Sequence, residues 1–256
     1  LAVICGRMVV ASLCFLPFLR SFTRMGVRRH HIFPLVAMCL CEPCLYFLFE
    51  SAALVHTAAS QAAMITTMLP LMVALAAGLV FGERVSVRTV SGFVVAVAGA
   101  VWLSLAGGAS GQAPNPALGN FFEFLAMVCA TAYTILMKQL SKTFHPFLLT
   151  GLQAFSGALF FAPALLLPKV RAVADLPVGG LLAVLYLGTV VSVGAYGLYN
   201  FGISRLPASQ AAAFVNLIPV FSILLGYLIL GERMTPWQLC ACALVFFGVL
   251  LSQDSG

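Results

Sequence analysis

The stretch ASQAAMITTMLPLMVALAAGLVFGER, residues 59–84, decides how the chain is read, because it is written twice. Its counterpart, ASQAAAFVNLIPVFSILLGYLILGER, occupies residues 208–233. Gln61 answers to Gln210, Pro70 to Pro219, and Gly82-Glu83-Arg84 to Gly231-Glu232-Arg233, at a constant offset of 210 − 61 = 149 residues. Eleven of the 26 positions are identical, more than a shared apolar composition supplies.

What lies around the two copies is almost uniformly apolar. Of 256 residues, 62% are hydrophobic and only 8% charged, with mean hydropathy +1.08. A soluble domain has about a quarter of its residues charged. No water-soluble fold of this length hides so much apolar surface, so the solvent must be lipid. The chain is therefore expected to be an all-α polytopic membrane protein. Crossing the hydrocarbon takes about 20 apolar residues, and nine segments qualify. They are Leu1–Leu19, Phe33–Leu54, Ala58–Phe81, Val87–Leu105, Asn120–Lys138, Pro146–Leu167, Val178–Ile203, Pro207–Leu230 and Pro236–Leu251. Short turn-forming connections separate them, such as GGASGQAPNPALGN at 107–120. None alternates apolar and polar residues as barrel strands do. The eight cysteines all fall inside apolar runs, which argues against a secreted disulfide framework. The opening residues lack the basic stretch of a signal peptide.

The formal charge of +6 does not make a nucleic-acid surface, because the cations are spread over the connections. Arg20, Arg24, Arg28, Arg29, Arg84, Arg88, Lys138, Lys142 and Arg205 fall on one side. Only Lys169, Arg171 and Arg233 fall on the other, and Arg7 lies within a helix. The cation-rich side faces the cytoplasm. The first helix then runs inward and the C-terminus ends inside, in a bacterial cytoplasmic (inner) membrane. From the helix holding the first copy to the one holding the second is a step of five helices, an odd number, so the copies point in opposite directions. That is the inverted-repeat layout of secondary transporters, with a site near the midplane. The expected organisation is a first repeat at 1–105, an external connection at 106–119 and a second repeat at 120–253. The second repeat has five helices and the first shows four. With no initiator Met, a helix upstream of Leu1 is inferred, which makes ten.

Two such units, each carrying small-small-Gln-Ala-Ala, a proline and Gly-Glu-Arg, resemble the drug/metabolite transporter superfamily, and the EamA-like family in particular. The resemblance covers essentially the whole chain. It implies a ten-helix exporter of small metabolites such as amino acids, with both termini in the cytoplasm.

Glu42 stands midway along a span of roughly 33 Å if helical. An acid at that depth costs a few kcal/mol and is a functional candidate by default. Pro43 cannot donate to the Cys39 carbonyl, which frees an acceptor beside it. Tyr46 and Glu50, four and eight residues on, would share its stripe. Glu42 then binds a proton or a cationic substrate group, or else is a protonated acid satisfied by a neighbouring helix. Arg7 meets a substrate carboxylate, pairs with an acid, or snorkels. Glu123, in the first turn of its helix, reads as a capping or interfacial acid. Gln61, Gln210, Thr66, Thr67 and Asn216 on the duplicated helices, with Tyr196, Tyr199 and Asn200, either contact substrate or bond between helices. Cys39, Cys41 and Cys44 read as small apolar residues rather than metal ligands, and no cofactor is called for. No nucleotide-binding, zinc-protease or serine-hydrolase motif is present. The expected partners are the lipid bilayer and a small-molecule substrate. Efflux of cationic drugs is the alternative transport reading, and a membrane-embedded enzyme a more distant one. Single cysteines placed at Arg84 and Arg233 are expected to react with an impermeant thiol reagent from opposite faces of the membrane.

Overall fold

In the computed structural model, the residues described are 1–23, 26–82, 86–106, 113–166, 177–231 and 234–252. Glu83, Arg84, Glu232 and Arg233 of the duplicated sequence lie outside them, as do Arg24, Lys169 and Arg171. Among the described residues the chain runs as nine helical segments with no strand. These are α1 (Ala2–Phe22), α2 (Arg29–His56), α3 (Ala59–Phe81), α4 (Val87–Ala106) and α5 (Pro116–Leu140). They continue as α6 (Pro146–Leu166), α7 (Val178–Arg205), α8 (208–230) and α9 (Pro236–Ser252). Six are long and apolar enough to cross a membrane, and α4 and α9 are shorter apolar helices. Helices dominate because hydrocarbon offers no water to a backbone N–H or C=O, so each segment must satisfy its own. Large apolar side chains such as Leu79, Leu159 and Leu166 stand outward, whereas Glu42, Gln61, Glu123, Gln153 and Asn200 are buried. Lipid as solvent produces that distribution.

The chain divides into two compact units. The first holds Leu1–Phe47 and Leu136–Leu206, the second Leu48–Ile135 and Pro207–Gly256. Each therefore draws on both sides of the 106–119 connection. In the first unit α1 runs antiparallel to α6. A Cβ on Gly157 would meet Met8 Sδ at 2.8 Å, and one on Gly151 would meet Phe15 at 2.9 Å and also Phe22. In the second, Ala208–Ala213 of α8 packs on Leu69–Phe81 of α3, and Leu217–Leu225 packs on Ala59–Thr66, again antiparallel.

The α4–α9 pair is equally reciprocal. Gly99 abuts Ala241 and Val245, while Gly248 abuts Gly92 and Ala96. Adding 149 turns Gly99 into Gly248, Gly92 into Ala241 and Ala96 into Val245. Each helix thus makes the other's contacts, in the opposite direction.

Local structure repeats at the same offset. Gly82 and Gly231 both end their helices in the left-handed region, at φ 68° and 66°, which a side chain would strain. Ser86 accepts the Thr89 N–H at 3.1 Å, and Thr235 accepts the Gln238 N–H at 3.3 Å, as N-caps of α4 and α9. Ahead of Pro70 the backbone tightens, with Met68 N donating to Ile65 O, and ahead of Pro219 lies a 3-10 turn at Phe214–Asn216. Wide π-turns interrupt α2 at Leu40–Leu45 and α7 at Leu187–Ala195.

Two expectations are corrected. The helix predicted to begin at Asn120 begins at Pro116, where Asn115 Oδ1 caps the Leu118 N–H at 3.2 Å and proline occupies the first turn. Glu123 is therefore two turns inside its helix, and the capping reading fails. The span predicted as one helix over Phe33–Leu54 leaves helical geometry at Glu42, with φ −145° and ψ 120°. Beyond that residue, the stripe expected to join Glu42 to Tyr46 and Glu50 does not hold.

Gly99→Leu and Gly248→Leu should each destabilise the protein by about 1–3 kcal/mol, because backbone nitrogens lie 2.8 and 2.6 Å from the added carbon. Gly197→Ala, with open space around it, should be neutral or stabilising by up to ~1 kcal/mol. Thermal unfolding in detergent compares the three.

Candidate functional site

The break in α2 falls at the centre of a 28-residue segment and beside a cavity. Glu42, Pro43 and Phe47 of α2 form one wall. Met8 of α1, Thr150, Gln153 and Ala154 of α6, and Ser192 and Tyr196 of α7 complete it. All nine belong to the first unit. The volume is about 20 Å³, room for one water. Glu42 is 4% exposed.

A chain of amides holds the break in place. Asn200, fully buried, donates from Nδ2 to Thr150 Oγ1 at 2.8 Å and to Gln153 Oε1 at 3.1 Å. That fixes the Gln153 amide so that Nε2 donates to the Glu42 carbonyl at 3.1 Å. The backbone group that leaves the helix thereby gains a partner inside the protein. The sequence pointed to the Cys39 carbonyl as the freed acceptor; it is Glu42's own that the amide chain meets. Gly157 lets α6 come this close, since a Cβ there would lie 2.7 Å from Pro43 Cγ.

Arg7 backs the cavity. It is 9% exposed and does not snorkel. Its Nε donates to Ser192 Oγ at 3.1 Å, and its guanidinium carbon lies 4.6 Å from the centre of the Phe47 ring. Ser192 and Phe47 are both cavity wall, so the cation sits one side chain behind it. Arg7 Nη2 is buried without a hydrogen-bond partner. The region thus carries an acid, a cation with a donor to spare, and hydroxyl and amide groups, all shielded from lipid.

Four of the sequence-predicted residues meet here: Glu42 and Tyr196 in the wall, Arg7 behind it, and Asn200 through Gln153. Tyr46 is half-buried, with its ring edge-on to Phe47 at 5.3 Å, and Tyr199 is half-buried on α7. Glu50, Gln61 and Thr66 belong to the second unit. There the Thr57 hydroxyl lies 3.3 Å from Gln61 Oε1 and 3.0 Å from Asn120 Oδ1, donating to one at a time. Gln61 is buried, but its counterpart Gln210 is exposed. The side chain of Asn216 lies outside the described residues. Sequence reasoning missed Gln153 and Thr150, although an amide in the middle of an apolar span, flanked by Thr150, Gly151, Ser156 and Gly157, is a signal of its own. It also underrated Glu123, which is 2% exposed and accepts from the Thr66 hydroxyl at 3.1 Å.

Known proteins supply the class. The model of the EamA-like transporter family matches residues 1–105 and 117–253. The chain is 24% identical over 245 residues to the "Uncharacterized transporter YcxC" of Bacillus subtilis (strain 168), covering 91% of this chain and 77% of that protein. It is 26% identical over 234 residues to a "Probable terminal-alkyne amino-acid exporter" of Streptantibioticus cattleyicolor, covering 89% and 76%. The match to the "Uncharacterized transporter YetK" of Bacillus subtilis reaches 60% of that protein. A crystal structure with a TM-score of 0.67 covers 98% of this chain and 85% of its own at 21% identity, and it shares the fold. The molecule is a helical membrane transporter, not an enzyme. It belongs to the EamA-like transporter family.

Replacing Gln153 with Leu strands the Glu42 carbonyl and the Asn200 amide. It should cost about 1–3 kcal/mol of stability for a buried group left unsatisfied, measured as a fall in the unfolding midpoint relative to Gln153→Asn and wild type.

Proposed function

We propose that the protein exports small organic metabolites, amino acids foremost, by alternating access, and that Glu42 couples this export to protons. The observation that carries the reading is the pairing of a buried acid with a buried cation around one small cavity. An α-amino acid is a zwitterion. Its ammonium group suits Glu42, and its carboxylate suits the spare Nη2 of Arg7 as a charge-assisted contact. A cationic drug gains from Glu42 alone and is repelled by Arg7, which favours the metabolite reading over drug efflux. The name of the Streptantibioticus relative as an amino-acid exporter supports the same class.

A cavity of about 20 Å³ admits water and no metabolite. An organic substrate therefore enters only when the helices part, whereas a proton reaches Glu42 by way of a single water. The opposed pairings of α1 with α6, α3 with α8 and α4 with α9 support two repeats inserted in opposite senses, as alternating access of this kind uses. On this reading 1–105 and 120–253 are the repeats, joined at 106–119 outside. The C-terminus is cytoplasmic, and the protein resides in a bacterial inner membrane. Within the first unit, Lys138 Nζ donates to the carbonyls of Ile203 at 2.9 Å and Leu206 at 2.7 Å. That puts Lys138 and the end of α7 at one face, in line with the cation count.

Efflux of a panel of radiolabelled amino acids from proteoliposomes, with and without a pH gradient, tests the reading. Glu42→Gln should abolish the response to the gradient. Arg7→Gln should raise KM about tenfold or more for substrates with a free carboxylate. It should leave KM for amino-acid amides unchanged. An unaltered gradient response in Glu42→Gln would refute the proton role, and selective transport of lipophilic cations would return the reading to drug efflux.

A further inference from the structure

The first unit has a second hollow, and this one faces outward. It lies between α2 and α6, and at the α1–α2 connection it reaches Phe22 and Val27. Ile32, Val36 and Leu40 of α2 and Leu159 of α6 line it and are exposed. Its volume is about 600 Å³, against about 20 Å³ beside Glu42. From Ile32 to Cys44 it follows α2 for roughly 18 Å at helical rise, close to one leaflet of a hydrocarbon core about 30 Å thick.

The wall asks for hydrocarbon. Among the described residues that line it, only Ser156 carries a hydroxyl, and that group donates to the Gln153 carbonyl at 3.0 Å. The other side chains are apolar, with the thiols of Cys39 and Cys44 their only heteroatoms. A water-soluble metabolite gains nothing there, whereas an acyl chain gains contact along its length. Bulk lipid tails are as apolar as the wall, however, so the groove by itself selects no occupant. Selection needs a charge at the mouth.

The mouth carries that charge. Val27 leads directly into Arg28 and Arg29, both exposed. The ring of His31 meets Phe144 edge-on at 4.9 Å, which brings the α5–α6 turn, with its Lys142, to the same end. Residues 1–41 and 136–160 contain no aspartate or glutamate. The stretches that form the groove therefore offer Arg28 and Arg29 no counter-ion, and the first acid of α2, Glu42, belongs to the inner cavity. Guanidinium groups match the oxygens of a phosphate, and basic sites at the cytoplasmic ends of transmembrane helices hold anionic headgroups.

We propose that this groove binds one anionic phospholipid, with an acyl chain against α2 and α6 and the phosphate at Arg28 and Arg29. Cys39, Leu40 and Cys44 bracket the break at Glu42. The bound chain therefore braces the outer side of the α2–α6 contact whose inner side is the Glu42 cavity. The site goes beyond the export reading and does not rest on it.

The test is fluorescence quenching by brominated lipid. Trp102 and Trp237, the two tryptophans of the chain, are replaced by phenylalanine, and Phe160→Trp places a reporter in the groove. Leu198→Trp, exposed on α7 and outside the groove, is the control. Each protein is reconstituted into mixtures of phosphatidylglycerol and phosphatidylcholine, one of them brominated, and quenching gives their relative binding constant. At the groove it should favour phosphatidylglycerol by about tenfold, and at the control the two lipids should compete nearly equally. Arg28→Gln with Arg29→Gln should bring the groove to the control value, and Arg28→Lys with Arg29→Lys should keep the preference. Native mass spectrometry of the otherwise wild-type protein is the second readout. It should find one phosphatidylglycerol retained, and none once both arginines are glutamine. A groove reporter with no preference beyond the control, or a preference that survives the loss of both arginines, would overturn the site. So would a reporter that neither brominated lipid quenches, which would put a second copy of the chain in the groove. The readouts follow lipid rather than transport, so their failure leaves the export reading standing, and failed export leaves this site standing.

Discussion

A backbone that leaves the helix inside hydrocarbon must find its partners within the protein. Glu42 is where this chain incurs that obligation, and the first unit is built to meet it. The Glu42 carbonyl is met by Gln153, which is held by Asn200, which is in turn tied to Thr150. Gly157 brings α6 near enough for this, and a larger side chain would strike Pro43 and Met8. The interruption that disqualifies α2 as a continuous rod also turns an acid inward, beside water-sized space and an arginine. Structural obligation and candidate chemistry share the same few residues.

The scaffold is duplicated, and the chemistry is not. Glycine caps, N-caps, proline kinks and π-turns recur 149 residues apart, and reciprocal glycines knit α4 to α9. At the same offset Glu42 becomes Val191, Pro43 becomes Ser192 and Thr66 becomes Val215. The two halves thus share the devices that shape helices and differ at buried positions of the candidate site such as Glu42. A duplicated frame can evolve in this way, because packing needs shape at both positions whereas a proton or a substrate needs one acid.

Most of the frame was legible because its signals are local. Apolar run length gives the spans, and Pro70, Pro219, Gly82 and Gly231 act on backbone within a turn of themselves. Glu42 was legible too, as an acid at a depth where acids are costly. The stripe through Tyr46 and Glu50 was not, because spacing arguments assume an unbroken helix and one extended residue reorients everything after it. Gln153 was missed because its partner lies 111 residues away in sequence. Glu123 was misjudged because its helix was started at the apolar run instead of at the Asn115-Pro116 capping signal, which moved a buried acid to an end. Side-chain partners across units of packing are invisible to periodicity.

The most direct measurement uses Ala154, a small buried residue in the cavity wall that takes no part in the amide chain. A single cysteine replaces it in a protein whose eight native cysteines have been removed, and a small impermeant thiol reagent is applied to oriented vesicles from each face in turn. If the Glu42 cavity opens alternately to the two sides, the cysteine reacts from both faces, and an inhibitor that locks one state suppresses reaction from the opposite face. Reaction from one face only, or from neither, would mean that this cavity is sealed protein interior and that substrate crosses elsewhere.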